Sequence, residues 1–131
     1  MTLVPAIPAA RTMRTAGYTA VTAGGFGTLL FTPQTIEAVL GPWVTTLWSV
    51  LLIGGGLVTA VGSLCERWDL EYPALPFALA GMAIYLVALW SITFDDNLSR
   101  SGQTLLITAF AFTLAVRWLD LRVLARSRRK R

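Results

Sequence analysis

The sequence predicts an all-α integral membrane protein in which four transmembrane helices form an antiparallel bundle. Of its 131 residues, 55% are hydrophobic and only 14% are charged, whereas charged residues make up about 25% of a typical soluble domain. The 24 residues from 42 to 65 contain no charge. A helix of that length rises about 36 Å, which is enough to cross a hydrocarbon core of about 30 Å.

The composition also limits the chemistry that the chain can perform. It contains no histidine and a single cysteine, Cys65, so an intrachain disulfide, a histidine-based metal site and a histidine-dependent triad are excluded. The sequence has no glycine-rich phosphate loop opening a helix, no cluster of metal ligands and no nucleophile paired with a base. We therefore expect neither an enzyme nor a bound cofactor.

The first predicted span covers residues 15–31 and follows a lead-in of residues 1–14. Pro5 and Pro8 argue against a continuous helix in the lead-in. The span itself is rich in small residues, and small residues four apart let membrane helices approach closely. Two such pairs occur here, Ala20 with Gly24 and Ala23 with Gly27. They are typical of ordinary packing inside one copy, and they are also consistent with association between copies.

The second span, residues 42–65, is the most apolar stretch and contains three adjacent glycines, Gly54, Gly55 and Gly56. Each glycine destabilises a helix by about 1 kcal/mol relative to alanine, so three adjacent glycines require a structural explanation. One is a flexible point or a tight helix crossing. The other is small-residue packing along one face, where Gly55, Thr59 and Ser63 follow one another at four-residue steps.

The remaining segments alternate between spans and short connections. Residues 32–41 predict a link containing one or two helical turns. Residues 66–72 predict a solvated charged turn in which Arg67 pairs with Glu71. The third span covers 73–94, with two prolines in its first turn, where a helix tolerates them. The fourth covers 104–119, closing a transmembrane domain of residues 15–124 before a basic tail of residues 125–131 that has no reason to fold alone.

The distribution of basic residues predicts the orientation of the bundle. With four spans, the N-terminus, the 66–72 turn and the C-terminus share one side, and that side carries ten of the eleven basic residues. Because cytoplasmic segments are enriched in lysine and arginine, we expect both termini in the cytoplasm and the protein in the bacterial inner membrane. The residues expected at the lipid headgroups are Arg11, Arg14, Arg67, Arg117, Arg122, Arg126, Arg128, Arg129, Lys130 and Arg131. We expect the bilayer as a partner and no nucleic acid.

The hairpin of the second and third spans, GGGLVTAVGSLCERWDLEYPALPFALAGMAIY, carries a family resemblance. Together with the four spans, the basic tail and the arginine-rich, lysine-poor composition, it resembles the small membrane proteins of actinobacterial bacteriophages that are called holins or holin-like. The resemblance implies a protein that accumulates in the inner membrane and then assembles laterally into a lesion that frees a muralytic enzyme. It implies a homo-oligomer and no catalytic residues.

Two other functions remain open at this point. The chain could be an accessory or structural membrane protein without pore activity, acting in superinfection exclusion or on another membrane protein. It could also be a small-solute channel or transporter. Ion-coupled transport usually needs an ionisable residue deep in a span, and the predicted spans contain none before Arg117, so the sequence disfavours this last function.

Overall fold

The computed structural model describes residues 8–31, 34–95 and 98–130. These residues form five α-helices and one short 3-10 turn, and they contain no strand, which confirms the all-α prediction for this part of the chain. The elements are α1 (Pro8–Leu30), α2 (Gln34–Leu40), α3 (Pro42–Leu64), α4 (Trp68–Asp95), the 3-10 turn (Leu98–Arg100) and α5 (Ser101–Arg129).

Three of these helices, α3, α4 and α5, are long and apolar enough to cross a membrane. They contain 23, 28 and 29 residues. Helix α1 also has 23 residues, but its threonines, glycines and two arginines lower its hydropathy, and it is not among the three. The chain therefore has the character of a helical membrane protein, with α1 as the least apolar of its long helices.

The long helices pack as sequence neighbours, with α3 between α1 and α4, and with α5 against α4. Helix α1 runs antiparallel along α3, because Thr15 bonds Ser63 at 3.1 Å at one end and Thr28 bonds Ser49 at 3.0 Å at the other. The core is centred on α3 and α4, and its largest fully buried side chain is Trp48. The order of the helices leaves a groove between α1 and α5.

Several helix boundaries differ from the sequence prediction. Helix α1 begins at Pro8, so residues 8–14 of the predicted lead-in are helical, although the prolines argued against a continuous helix there. A proline is tolerated at the first helical position because its missing N–H would have no partner there. Helix α5 begins at Ser101 and continues to Arg129, so most of the predicted tail is a helical extension of the last span.

The start of α4 corrects the interpretation of its two prolines. The helix begins at Trp68, which places Pro73 and Pro76 in its second and third turns instead of its first. Each proline lacks an N–H, so the carbonyls four residues earlier, those of Asp69 and Tyr72, receive no helical hydrogen bond from it.

A few sequence predictions fall outside the described residues. They concern the lead-in before Pro8, the first two residues of the 32–41 link, and the terminal Arg131. Within the described residues, the predicted short helix of the 32–41 link is present as the seven-residue α2, and its Ile36 is buried.

Candidate functional site

A buried ionic cluster joins three helices at one end of the bundle. Glu71 of α4 has a side chain that is only 4% exposed. Its carboxylate accepts a hydrogen bond from the Tyr18 hydroxyl of α1 at 2.7 Å. It also accepts two from the Arg117 guanidinium of α5, at 2.9 and 3.1 Å. A single carboxylate therefore ties α1 and α5 to α4.

The tight turn between α3 and α4 directs Glu71 inward. The N–H of Arg67 donates to the carbonyl of Gly62 at 2.8 Å, and the N–H of Glu71 donates to the carbonyl of Arg67 at 3.2 Å. A Cβ at Gly62 would lie 2.9 Å from the backbone nitrogen of Glu71. The absence of a side chain at Gly62 thus lets α4 start in contact with α3, with Glu71 facing the interior.

A second arginine, Arg14 of α1, lies beside the cluster. It is close enough to interact electrostatically with Glu71. Its Nε is buried and has no hydrogen-bond partner within the described residues. Arg14, Tyr18 and Arg117 also line the groove between α1 and α5, which has a volume of about 410 Å³. Two cations and one anion give the cluster a net charge of +1.

The geometry of this cluster suits a structural role, in which one carboxylate holds three helices together. The carboxylate of Glu71 receives three hydrogen bonds, two of them from a cation, and such charge-assisted bonds are the strong ones. Removing one partner from a buried ion pair typically costs about 3–5 kcal/mol, because the other charge stays buried without compensation. A carboxylate held in this way is poorly suited to act as a general base, and the described residues contain no group of three or more metal-ligating side chains.

The glycines of α3 lie where the helix meets two neighbours at once. A Cβ at Gly55 would overlap the backbone nitrogen of Ala78 in α4. A Cβ at Gly56 would lie 2.5 Å from the Thr22 hydroxyl oxygen of α1. Thr59 and Ser63, on the same side as Gly55, are fully or almost fully buried. Gly54, by contrast, is exposed, and no atom lies within 4 Å of the position that a Cβ would take there. The triplet therefore allows close contact with α4 and α1.

The four small residues that the sequence singled out in α1 lie on its outer side. Ala20, Ala23, Gly24 and Gly27 are all exposed, and we call them the small face. Helix α1 packs on α3 through its opposite side, where the buried residues are Tyr18, Val21, Thr22 and Gly25. Ala20 and Gly24 border a second groove, of about 250 Å³, with Phe110 of α5. In the described part of the chain, all four residues of the small face therefore remain exposed.

The basic residues expected at the headgroups take several different positions. Arg11 pairs with Glu66 at the start of α1. Arg67 pairs with Asp69, not with Glu71 as predicted, and that hydrogen bond raises the pKa of Arg67. Arg117 turns into the bundle toward Glu71. Arg14 lies beside Glu71. The other described members lie in the last turns of α5 or, for Lys130, directly after it, and they are half-buried or exposed: Arg122, Arg126, Arg128, Arg129 and Lys130.

Sequence reasoning missed Glu71 and Tyr18 as site residues. Glu71 was assigned to a solvated turn, and this is wrong because the helix starts before it and buries it. One signal was available: Arg117 follows an apolar run and, if buried, needs a carboxylate on a neighbouring helix. The sequence alone could not choose among Glu66, Asp69 and Glu71, which lie within six residues.

Comparisons with known proteins do not add to this description. The sequence matches no protein-family model, and neither the curated proteins nor the solved structures include a match.

Proposed function

We propose that this chain is a holin-like protein of the bacterial cytoplasmic membrane, which assembles laterally and permeabilises the bilayer. The observation that carries the proposal is the exposed small face of α1. Membrane helices associate through small residues that let their backbones approach closely. Four such residues cover one side of α1, and Gly24 and Gly27 have no neighbouring atom within 4 Å of a Cβ position.

The proposal places α1 in the membrane as a fourth crossing. Its 23 residues rise about 34 Å, and its hydroxyl contacts with α3 at both ends hold it alongside a strongly apolar helix. A weakly apolar helix in this position relies on its contacts with α3 on one side, and on the other side it presents its small face to another copy.

The orientation follows from charge. Arg11, Arg67 and the basic end of α5 lie at the same end of the bundle as the ionic cluster. Arg100, in the 3-10 turn, lies at the opposite end. Under the rule that cytoplasmic segments are rich in lysine and arginine, the end with the cluster faces the cytoplasm, and so do both termini.

The ionic cluster has a defined role in this proposal. It holds α1 and α5 to α4 at the cytoplasmic end and so stabilises the single-copy bundle. Lateral assembly then uses the small face, which lies on the side of α1 opposite to Tyr18, and leaves the cluster in place. The holin-like resemblance of the hairpin 54–85 agrees with a protein that acts through assembly instead of through catalysis.

The test is induced expression in a bacterium, with growth and entry of a membrane-impermeant dye followed together. We expect abrupt dye entry after a delay, and lysis only when a muralytic enzyme is co-expressed. Normal growth, with the protein confirmed in the membrane, would contradict the proposal and favour an accessory role without pore activity.

A further inference from the structure

A third groove, separate from the ionic cluster, opens between the first turns of α4 and the last turns of α5. Its volume is about 630 Å³. Two aromatic side chains and four arginines dominate its lining: Trp68, Tyr72, Arg122, Arg126, Arg128 and Arg129. A groove with this lining combines a flat apolar wall with a high density of hydrogen-bond donors.

Within the described part of the chain, no carboxylate forms an ion pair with the arginines of this groove. The lining contains one carboxylate, that of Asp69, and it accepts a hydrogen bond from Arg67 at 2.7 Å. The ion pairs formed within residues 8–31, 34–95 and 98–130 use Arg11, Arg67 and Arg117, and none of them uses an arginine of the groove. The four arginines of the groove therefore have no carboxylate partner among these residues.

Aromatic rings hold two of the arginines in place. The guanidinium of Arg128 lies over the Trp68 ring, 5.1 Å from its centroid, and that of Arg122 lies over the Trp118 ring at 5.3 Å. The Tyr72 ring stacks on the Trp118 ring, with 6.4 Å between the two ring centroids. A stacked guanidinium keeps its N–H edge free, and that edge matches the oxygen geometry of a phosphate.

The lengths of the two helices place the groove at the level of lipid headgroups. Helices of 28 and 29 residues rise about 42–44 Å, which exceeds a hydrocarbon core of about 30 Å. Because this end carries Asp69 and the four arginines of the groove, we place the first turn of α4 and the last turns of α5 beyond the core. Tryptophan and tyrosine prefer this level, and anionic headgroups are the anions present there in highest concentration.

We infer that this groove binds the headgroup of one anionic phospholipid, whose phosphate is held by the arginines of α5 against the Trp68 and Tyr72 wall. This inference does not depend on permeabilisation, because it concerns only the headgroup-level surface of α4 and α5. It differs from a diffuse attraction of a basic tail to the membrane, since it assigns one saturable site to particular side chains.

The test measures lipids retained by the full-length protein, purified in detergent, by native mass spectrometry. The probes are dioleoyl phosphatidylglycerol and dioleoyl phosphatidylcholine, which differ only in the headgroup. We expect one phosphatidylglycerol to be retained in preference to phosphatidylcholine. The variant R126Q/R129Q should bind it at least about tenfold more weakly, since each arginine near an anionic lipid contributes roughly a fivefold factor.

The matched control is R100Q/K130Q, which also removes two positive charges. Arg100 lies at the opposite end of the bundle and Lys130 does not line the groove, so this variant should bind phosphatidylglycerol within about threefold of the unmodified protein. A further variant, R126K/R129K, keeps the charge but loses the planar donors and should bind with intermediate affinity. Equal losses in R126Q/R129Q and R100Q/K130Q, or equal retention of the two lipids by the unmodified protein, would overturn the inference.

Discussion

Glu71 of α4 and Arg117 of α5 form an ion pair with two hydrogen bonds. The pair lies at the end of the bundle opposite to the 3-10 turn between these two helices. The residues are separated by 46 positions in the sequence. Their side chains are 4% and 25% exposed. The Tyr18 hydroxyl adds a third bond from α1, so this carboxylate connects α1, α4 and α5.

The first prediction concerns the charge of that carboxylate. Glu71→Gln keeps the shape of the side chain but leaves Arg117 and Arg14 without a nearby anion. We expect a loss of about 3–5 kcal/mol in the free energy of unfolding, measured by titration with dodecyl sulfate in mixed micelles. The control is Asp69→Asn, two residues earlier and about half exposed, which should leave the unfolding midpoint unchanged. Equal effects of the two substitutions would contradict the role given to Glu71.

The second prediction concerns the Tyr18 hydroxyl. Tyr18→Phe removes one hydrogen bond to a charged acceptor, and such a bond contributes about 1.5–3 kcal/mol. The same micelle titration should show a loss in this range. Tyr85→Phe provides the comparison, because the Tyr85 ring packs on Trp48 with centroids 4.9 Å apart and its hydroxyl makes no side-chain hydrogen bond to the described residues. If Tyr85→Phe were the more damaging change, the Tyr18–Glu71 bond would not matter for stability.

The third prediction separates two adjacent glycines of α3. Gly55→Ala places a Cβ against the backbone of Ala78, and such overpacking costs about 1–3 kcal/mol. Gly54→Ala meets no atom within 4 Å and should stabilise the helix by roughly 0.5–1 kcal/mol, since alanine loses less backbone entropy than glycine. Opposite shifts of the unfolding midpoint are expected from these neighbouring positions. Shifts of the same sign would argue against the tight contact between α3 and α4.

The fourth prediction concerns association between copies. The chain's single cysteine, Cys65, is exposed, so a Cys65→Ser background removes unwanted cross-links. In that background, Ala23→Cys on the small face should form disulfide-linked dimers in membranes under mild oxidation. Val116→Cys, on the exposed side of α5, should not do so. Dimers formed equally well from both positions would indicate random collision and not a specific face.

The sequence predicted the parts of the fold that depend on local composition. Charge-free runs identified α3 and α4, and the brevity of the 66–72 segment predicted that they are neighbours. The sequence did not predict the burial of Glu71, because that depends on Arg117, which only the folded bundle brings near. It also could not tell which side of α1 packs on α3, since both sides contain small residues and threonines.

The small face of α1 is the central element of the proposed function, and one comparison tests it most directly. Gly24→Leu with Gly27→Leu fills that face, at two positions where no neighbouring atom lies within 4 Å of an added Cβ. Gly54→Leu makes the same kind of change at an exposed glycine of α3. On induction in a bacterium, at equal amounts in the membrane, we expect the double variant to abolish dye entry and Gly54→Leu to retain it. Undiminished dye entry with the double variant would contradict the account.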